Sequence, residues 1–305
     1  TEVIREAIPE IVMIGSQTPF ASIAIPGKIA YLSAGNAWIM DGTTGNRQAV
    51  VTTGDIDGQV FSLSPDGSWL LYTRALDSDN TINQLWAARL NDDPPLLLDL
   101  GVSNVIHFAD WGAGLGVVGY STVEPRSTAP GWQANNDLSI IGVSNSGFIA
   151  PPRQEIGANS GGVYGWWGID FRWADDGVRL AYARPDSIGI YDTRQDMMQS
   201  LVNIVPFQTG GDWAWVPGVS WSPDGNTLYS VNYDGQAGSG AAEESPGFDL
   251  IAIPLNGGSP VNMVDDVGMF AYPEPSPYVS TVIGEKQDNQ PLFENQYQVA
   301  YLQAI

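Results

Sequence analysis

The chain is poor in residues that do covalent or metal chemistry. Its 305 residues include no cysteine and one histidine, His107. Thiolate metal sites, disulfides and cysteine nucleophiles are therefore excluded. So is any metal site built on two imidazoles. His107 falls in a predicted inner strand, where it reads as a packed side chain rather than a base. No G-x-S-x-G nucleophile elbow occurs, and "GANSGG" has the wrong spacing for one. Carboxylates are abundant instead, 34 against 12 basic side chains. They come in pairs: Asp55 with Asp57, Asp77 with Asp79, Asp92 with Asp93, Asp175 with Asp176, Asp265 with Asp266. Hard oxygen ligands suit calcium, and such pairs could hold a structural Ca²⁺. "DIDGQV" nevertheless lacks the third acidic position and the distal Glu of an EF-hand loop, and the pairs read as solvated turns. No cofactor is expected, and nothing resembles a phosphate-binding loop.

The formal charge of −22 makes nucleic acid and anionic membranes poor partners, because phosphate binding needs clustered Lys and Arg. A basic protein or a cationic ligand is compatible with it. No apolar run approaches the roughly 18 residues of a membrane span. The sequence opens at Thr1 without Met or a basic-plus-apolar leader, which reads as a removed signal peptide or a fragment. With scarce lysine and abundant Gly, Asn, Ser and Trp, the expectation is an exported protein, periplasmic, cell-surface or extracellular.

The elements that must position any site are set by a repeat. "FSLSPDGSWLLYT" (Phe61 to Thr73), "FRWADDGVRLAYA" (Phe171 to Ala183) and "WSPDGNTLYSV" (Trp221 to Val231) match closely. "HFADWGAGLGVVGY" is a weaker copy, "IAIPGKIAYLS" an earlier one, and "YPEPSPYVS" a last one whose partner strand is delayed to "YQVAYLQAI". The turn glycines Gly27, Gly67, Gly112, Gly177 and Gly225 lie 40 to 65 residues apart. Each copy continues into a third strand ("NAWIMDG", "QLWAARLN", "DLSIIGVS", "SIGIYDT", "DLIAIPLNGG") and a fourth ("RQAVVTT", "PLLLDLG"). Alternation at period two bounded by Gly, Pro, Asn and Asp predicts strands throughout. Four antiparallel strands repeated radially predict an all-β fold, a β-propeller. In the turns, Pro65 and Pro223 preset φ, Asp66, Asp176 and Asp224 accept local N–H bonds, and Gly67, Gly177 and Gly225 permit positive φ. These residues read as structural.

The "SPDG" turn, the "LAY" strand and the "DLIAIPLNGG" strand resemble the repeat of TolB-like β-propellers, over about Ile25 to Ile305. The resemblance implies fold rather than function. It departs from the pattern in the third copy, which has lost "SPDG", and in the last, which carries a long insertion. Five full repeats and a partial one give six blades in a single domain, near 20–54, 55–101, 102–160, 161–210, 211–268 and 269–305. "EIVMIG" (Glu10 to Gly15) would add an outer strand to the last blade. A truncated seven- or eight-bladed parent is the other reading. Some TolB-like lyases depend on several histidines and a metal, which this chain lacks.

In such a blade the "SPDG" turns share one face and the second-to-third loops and crossings share the other. The long loops Ser121 to Asn136 and Asn232 to Gly247, and the crossings Gly161 to Asp170 and Gly210 to Gly218, converge on that second face. Trp132, Tyr164, Trp166, Trp167, Trp213, Trp215, Tyr233, Glu243 and Glu244 are its candidate binding residues, suited to a protein partner with basic or apolar anchors. Alternating aromatics in these segments also fit packing between blades. The primary expectation is a non-catalytic binding or scaffolding module with no catalytic residues. Two alternatives stand beside it. One is a hydrolase or lyase module using acidic residues at the channel mouth, which paired carboxylates facing each other across the channel, one with a raised pKa, would favour. The other is a structural subunit of an extracellular assembly or filament that accepts a neighbour's strand.

Overall fold

The computed structural model of the chain describes residues 27–76, 79–113, 116–125, 127, 132–158, 169–207, 214–233, 235, 247–280 and 296–300. Among them there is no helix. The first repeat supplies β1 (Lys28–Ser33), β2 (Asn36–Asp41) and β3 (Arg47–Val51), in that order across the sheet. Its predicted first strand, before Gly27, lies outside the described residues, as does the stretch Glu10 to Gly15. The second and third repeats share one eight-stranded sheet. It comprises β4 (Ile56–Leu63), β5 (Trp69–Leu76), β6 (Asp79–Arg89), β7 (Leu96–Gly112), β8 (Val117–Pro125), β10 (Leu138–Gly142) and β11 (Arg153–Ile156), with β9 (Trp132–Ala134) paired to β8. The fourth repeat is β12 (Asp170–Trp173), β13 (Arg179–Ala183), β14 (Ser187–Asp192) and β15 (Met197–Asn203). The fifth is β16 (Val219–Trp221), β17 (Thr227–Tyr233), β18 (Phe248–Pro254) and β19 (Val261–Val264). The final pair, β20 (Glu274–Ser280) and β21 (Gln296–Ala300), is antiparallel, so the delayed partner strand is real.

One feature departs from the sequence reading. The expected crossing between the second and third repeats is a continuous strand, β7, which pairs with β6 up to Asn104 and with β8 from Val105. It bends rather than stops, through bulges at Leu100–Gly101, where Gly101 has φ 73°, and at His107. A bulge turns a strand without breaking its ladder.

Bulging also recurs at one register in all five outer strand pairs. The ladder skips Val50 opposite Ala37/Trp38, Glu155 opposite Leu138/Ser139, Leu201 opposite Ile188/Gly189 and Met263 opposite Leu250/Ile251. The second repeat skips Leu100 and Gly101 opposite Leu85/Trp86. Each bulge increases local twist, so the outer pairs of the first five repeats are turned at the same register.

The core lies between sheets rather than inside one. Ala37, Ile39 and Val51 of the first repeat pack with Leu70, Tyr72 and Ala88 of the second. Trp69, Leu71 and Leu85 of the second meet Trp111, Val118 and Ile141 of the third. Leu138 and Ile156 of the third meet Phe171, Tyr182 and Tyr191 of the fourth. Ala183 and Ile188 of the fourth meet Val219, Leu228 and Phe248 of the fifth. Both faces of an internal sheet are therefore buried, which is why its strands carry apolar residues on both parities. The first strands contact one another in succession, β4 with β7, β7 with β12, β12 with β16 and β16 with β20, so they converge on an axis.

Candidate functional site

The most repeated motif builds turns. After β4, Gly67 at φ 65° donates its N–H to the Ser64 carbonyl (2.8 Å). Asp66 Oδ1 accepts from Ser64 Oγ (2.6 Å), Ser68 Oγ (2.7 Å) and Ser68 N (3.0 Å). Those serine hydroxyls hold the Asp66 carboxyl down at about 2. After β16, Gly225 at φ 67° bonds Ser222 O and Asp224 takes Ser222 Oγ (2.6 Å). After β12, Gly177 at φ 65° bonds Ala174 O, and Asp176 accepts from Val178 N (2.8 Å) and Arg179 N (2.9 Å). Pro65 and Pro223 precede the two aspartates within these turns.

The proposed aromatic face is only partly described. Tyr164, Trp166, Trp167, Trp213, Glu243 and Glu244 lie outside the described residues, and Trp132 sits in β9, paired with Pro125. Two candidates need correction. Trp215 is 2% exposed; its indole N–H donates to Met269 O (2.8 Å) and its ring meets Phe248 edge-on at 4.9 Å. Tyr233 is 8% exposed, wedged against Phe207 and Phe248. Both are core residues, because the space between repeats four and five demands large side chains. Residues that the sequence reading passed over are open in the neighbouring crossings: Val205 (52% exposed), Phe270 (45%) and Tyr272 (53%).

The chemistry on the axis was missed altogether. Ser62 on β4, Asp110 on β7, Arg172 on β12 and Ser220 on β16 each pair with the third residue of the following strand: Leu71, Gly119, Ala181 and Tyr229. They occupy one register, and hence one level, on four successive first strands. Ser62 Oγ donates to Asp110 Oδ1 (2.9 Å), and the Trp111 N–H donates to the same oxygen (2.9 Å). Burial pushes the Asp110 carboxyl up, while those two hydrogen bonds and the positive charge of Arg172 pull it partly back. Trp221 Nε1 fixes the neighbouring strand by donating to Arg172 O (2.9 Å). The result is a carboxyl biased towards holding a proton, beside an exposed guanidinium-bearing residue and the Ser62 hydroxyl. A carboxyl raised in this way is suited to giving or taking a proton. A polar residue at this register in "FSL", "FRW" and "VSW" was the available signal; the bulge at His107 hid the equivalence of Asp110.

The acidic pairs are mostly satisfied locally. Asp55 is raised by burial but brought below its ordinary value by Arg74, whose Nη2 lies 2.7 Å away. Asp57 accepts from Thr73 Oγ1 and Gln59 N. Arg89 pairs with Asp92 at 2.6 Å. Asp77 lies outside the described residues. Among the described residues, no three His, Asp or Glu side chains gather in a way that would hold a metal ion.

No protein-family model matches the sequence, and no curated protein matches it. Solved structures do. The chain is similar to an oligogalacturonate lyase from Vibrio parahaemolyticus, with a TM-score of 0.53 and 11% identity over 78% of this chain and 62% of the lyase. It is also similar to the tricorn protease, with a TM-score of 0.51 and 11% identity over 90% of this chain and 24% of the protease. The chain thus spans less than two thirds of either protein. At such identity the likeness establishes fold alone, and the fold is the all-β antiparallel β-propeller.

Proposed function

We propose that the chain is a six-bladed, TolB-like propeller of an exported protein, and that its axis carries an acid–base site for hydrolysis or elimination. The observation that supports this is Asp110, a desolvated carboxyl held at the same level as Ser62 and Arg172. Asp110 serves as the proton donor or acceptor, Arg172 steadies negative charge that develops on the substrate, and the Ser62 hydroxyl orients the carboxyl. A ligand reaches them along the channel.

The test is turnover by wild type and by Asp110→Asn. Suitable substrates are an oligogalacturonate, the substrate type named for the similar lyase, and peptidyl anilides. We expect the variant to lose at least about 100-fold in turnover while remaining folded. A variant as active as wild type overturns the assignment.

A second reading, docking of a protein partner on the loop-rich face, is favoured by the exposed Val205, Phe270 and Tyr272. On that reading, changing all three to Ser weakens partner capture and leaves the thermal midpoint nearly unchanged.

A further inference from the structure

The last repeat places a carboxyl at the level of the axial residues. In three repeats a Ser-Pro pair begins two positions after the axial residue: Ser64–Pro65 after Ser62, Ser222–Pro223 after Ser220, and Ser276–Pro277 after Glu274. Strand pairing gives the same alignment. On β12, Arg172 pairs with Ala181 and Trp173 with Leu180. On β20, Glu274 pairs with Ala300 and Pro275 with Val299. Strand β20 follows β16 around the axis, as β16 follows β12 and β12 follows β7. Glu274 therefore carries the series Ser62, Asp110, Arg172, Ser220 on into the next repeat, at the same register.

Asp110 and Glu274 stand three repeats apart in this succession, which in a six-bladed ring is the opposite side of the axis. Their surroundings differ. Asp110 is desolvated and its carboxyl raised, whereas Glu274 is exposed. Two carboxyls in unlike environments can divide the work of acid and base between them.

We propose that Glu274 is the second catalytic carboxyl of the axial site, acting as the base to Asp110's acid. The assignment rests on the acid–base reading of the axis given above. In hydrolysis, Glu274 takes a proton from water as the water oxygen bonds to the electrophilic carbon. The bond to the leaving group breaks, and the leaving oxygen or nitrogen takes the proton of Asp110. In elimination, Glu274 takes a proton from carbon, that electron pair forms the double bond, and the departing oxygen again takes the proton of Asp110. Exchange with solvent then returns the proton to Asp110 and removes it from Glu274.

The test is turnover of the oligogalacturonate and the peptidyl anilides by wild type, Asp110→Asn, Glu274→Gln and Glu274→Ala. Glu274→Gln is expected to lose at least about 100-fold, as Asp110→Asn does. Because the position is exposed, its thermal midpoint should stay within about 2 °C of wild type. Formate, a carboxylate small enough to enter the space vacated in Glu274→Ala, should restore turnover of that variant at least about tenfold. A side chain that only shaped the channel would give no such recovery. Glu274→Gln as active as wild type, with Asp110→Asn impaired, overturns the role of Glu274 and leaves the axial site standing. So does a loss in Glu274→Ala that formate does not reverse. Full activity of Asp110→Asn, or no turnover of either substrate by wild type, overturns both.

Discussion

Two aspartates of similar sequence setting behave in opposite ways because of what surrounds them. Asp66 accepts three hydrogen bonds from Ser64 and Ser68 in its turn, and its carboxyl falls from the ordinary 3.8 to about 2. A carboxyl lowered on folding contributes stability above its unfolded value and loses it as pH falls through the folded one. Asp66→Ala is therefore expected to destabilise by about 1 kcal/mol at pH 7. The gap between variant and wild type should close between about pH 4 and pH 2 in denaturant titrations. Asp110 is the reverse case. Burial raises it, so its protonated form is favoured by folding. Its contribution is complete at low pH and is lost as pH rises through the raised value. Asp110→Asn should raise the thermal midpoint at pH 7 by a few degrees, and the advantage should vanish in acid. A group kept at a cost in stability is what a functional role predicts.

At the scale of elements, the strands were legible and their irregularities were not. The stretches "LLYT", "LAYA" and "TLYSV" form β5, β13 and β17 as read, because alternation and the Pro-Asp-Gly turns are local signals. The register-matched bulges in the outer pairs have no local signature; Val50, Glu155, Leu201 and Met263 share no residue type. Nor does sequence say which aromatics are consumed by packing. Trp215 and Tyr233 read as candidates for binding, and the space between repeats claims both. Trp215→Ala is expected to cost about 3–5 kcal/mol, leaving a cavity beside Phe248 and the Met269 carbonyl without its donor. Gly189 is a constraint of another kind. A Cβ there would stand 2.1 Å from Gln199 O and 2.6 Å from the Tyr182 hydroxyl. Gly189→Ala should accordingly lower stability by about 1–3 kcal/mol, as read from urea unfolding.

For the whole molecule, radial stacking explains both the clear fold and the obscure site. Every sheet must present large side chains on both faces, so the apolar pattern identifies the propeller and says little about use. Function then depends on residues from different repeats meeting at one level, such as Ser62, Asp110 and Arg172, which lie 48 and 62 positions apart along the chain. No spacing rule links them; only register does. The same stacking makes the repeat interfaces unequal where a turn is lost, as between Trp69 and Trp111. The acid–base reading rests on the protonation of one side chain, and a ¹³C titration of the aspartate carboxyl carbons, with Asp110 assigned by its loss in Asp110→Asn, measures it. The account predicts a midpoint for Asp110 above the ordinary carboxylate range, falling back towards it when the chain is unfolded in denaturant. A midpoint at or below 3.8 in the folded chain would contradict it.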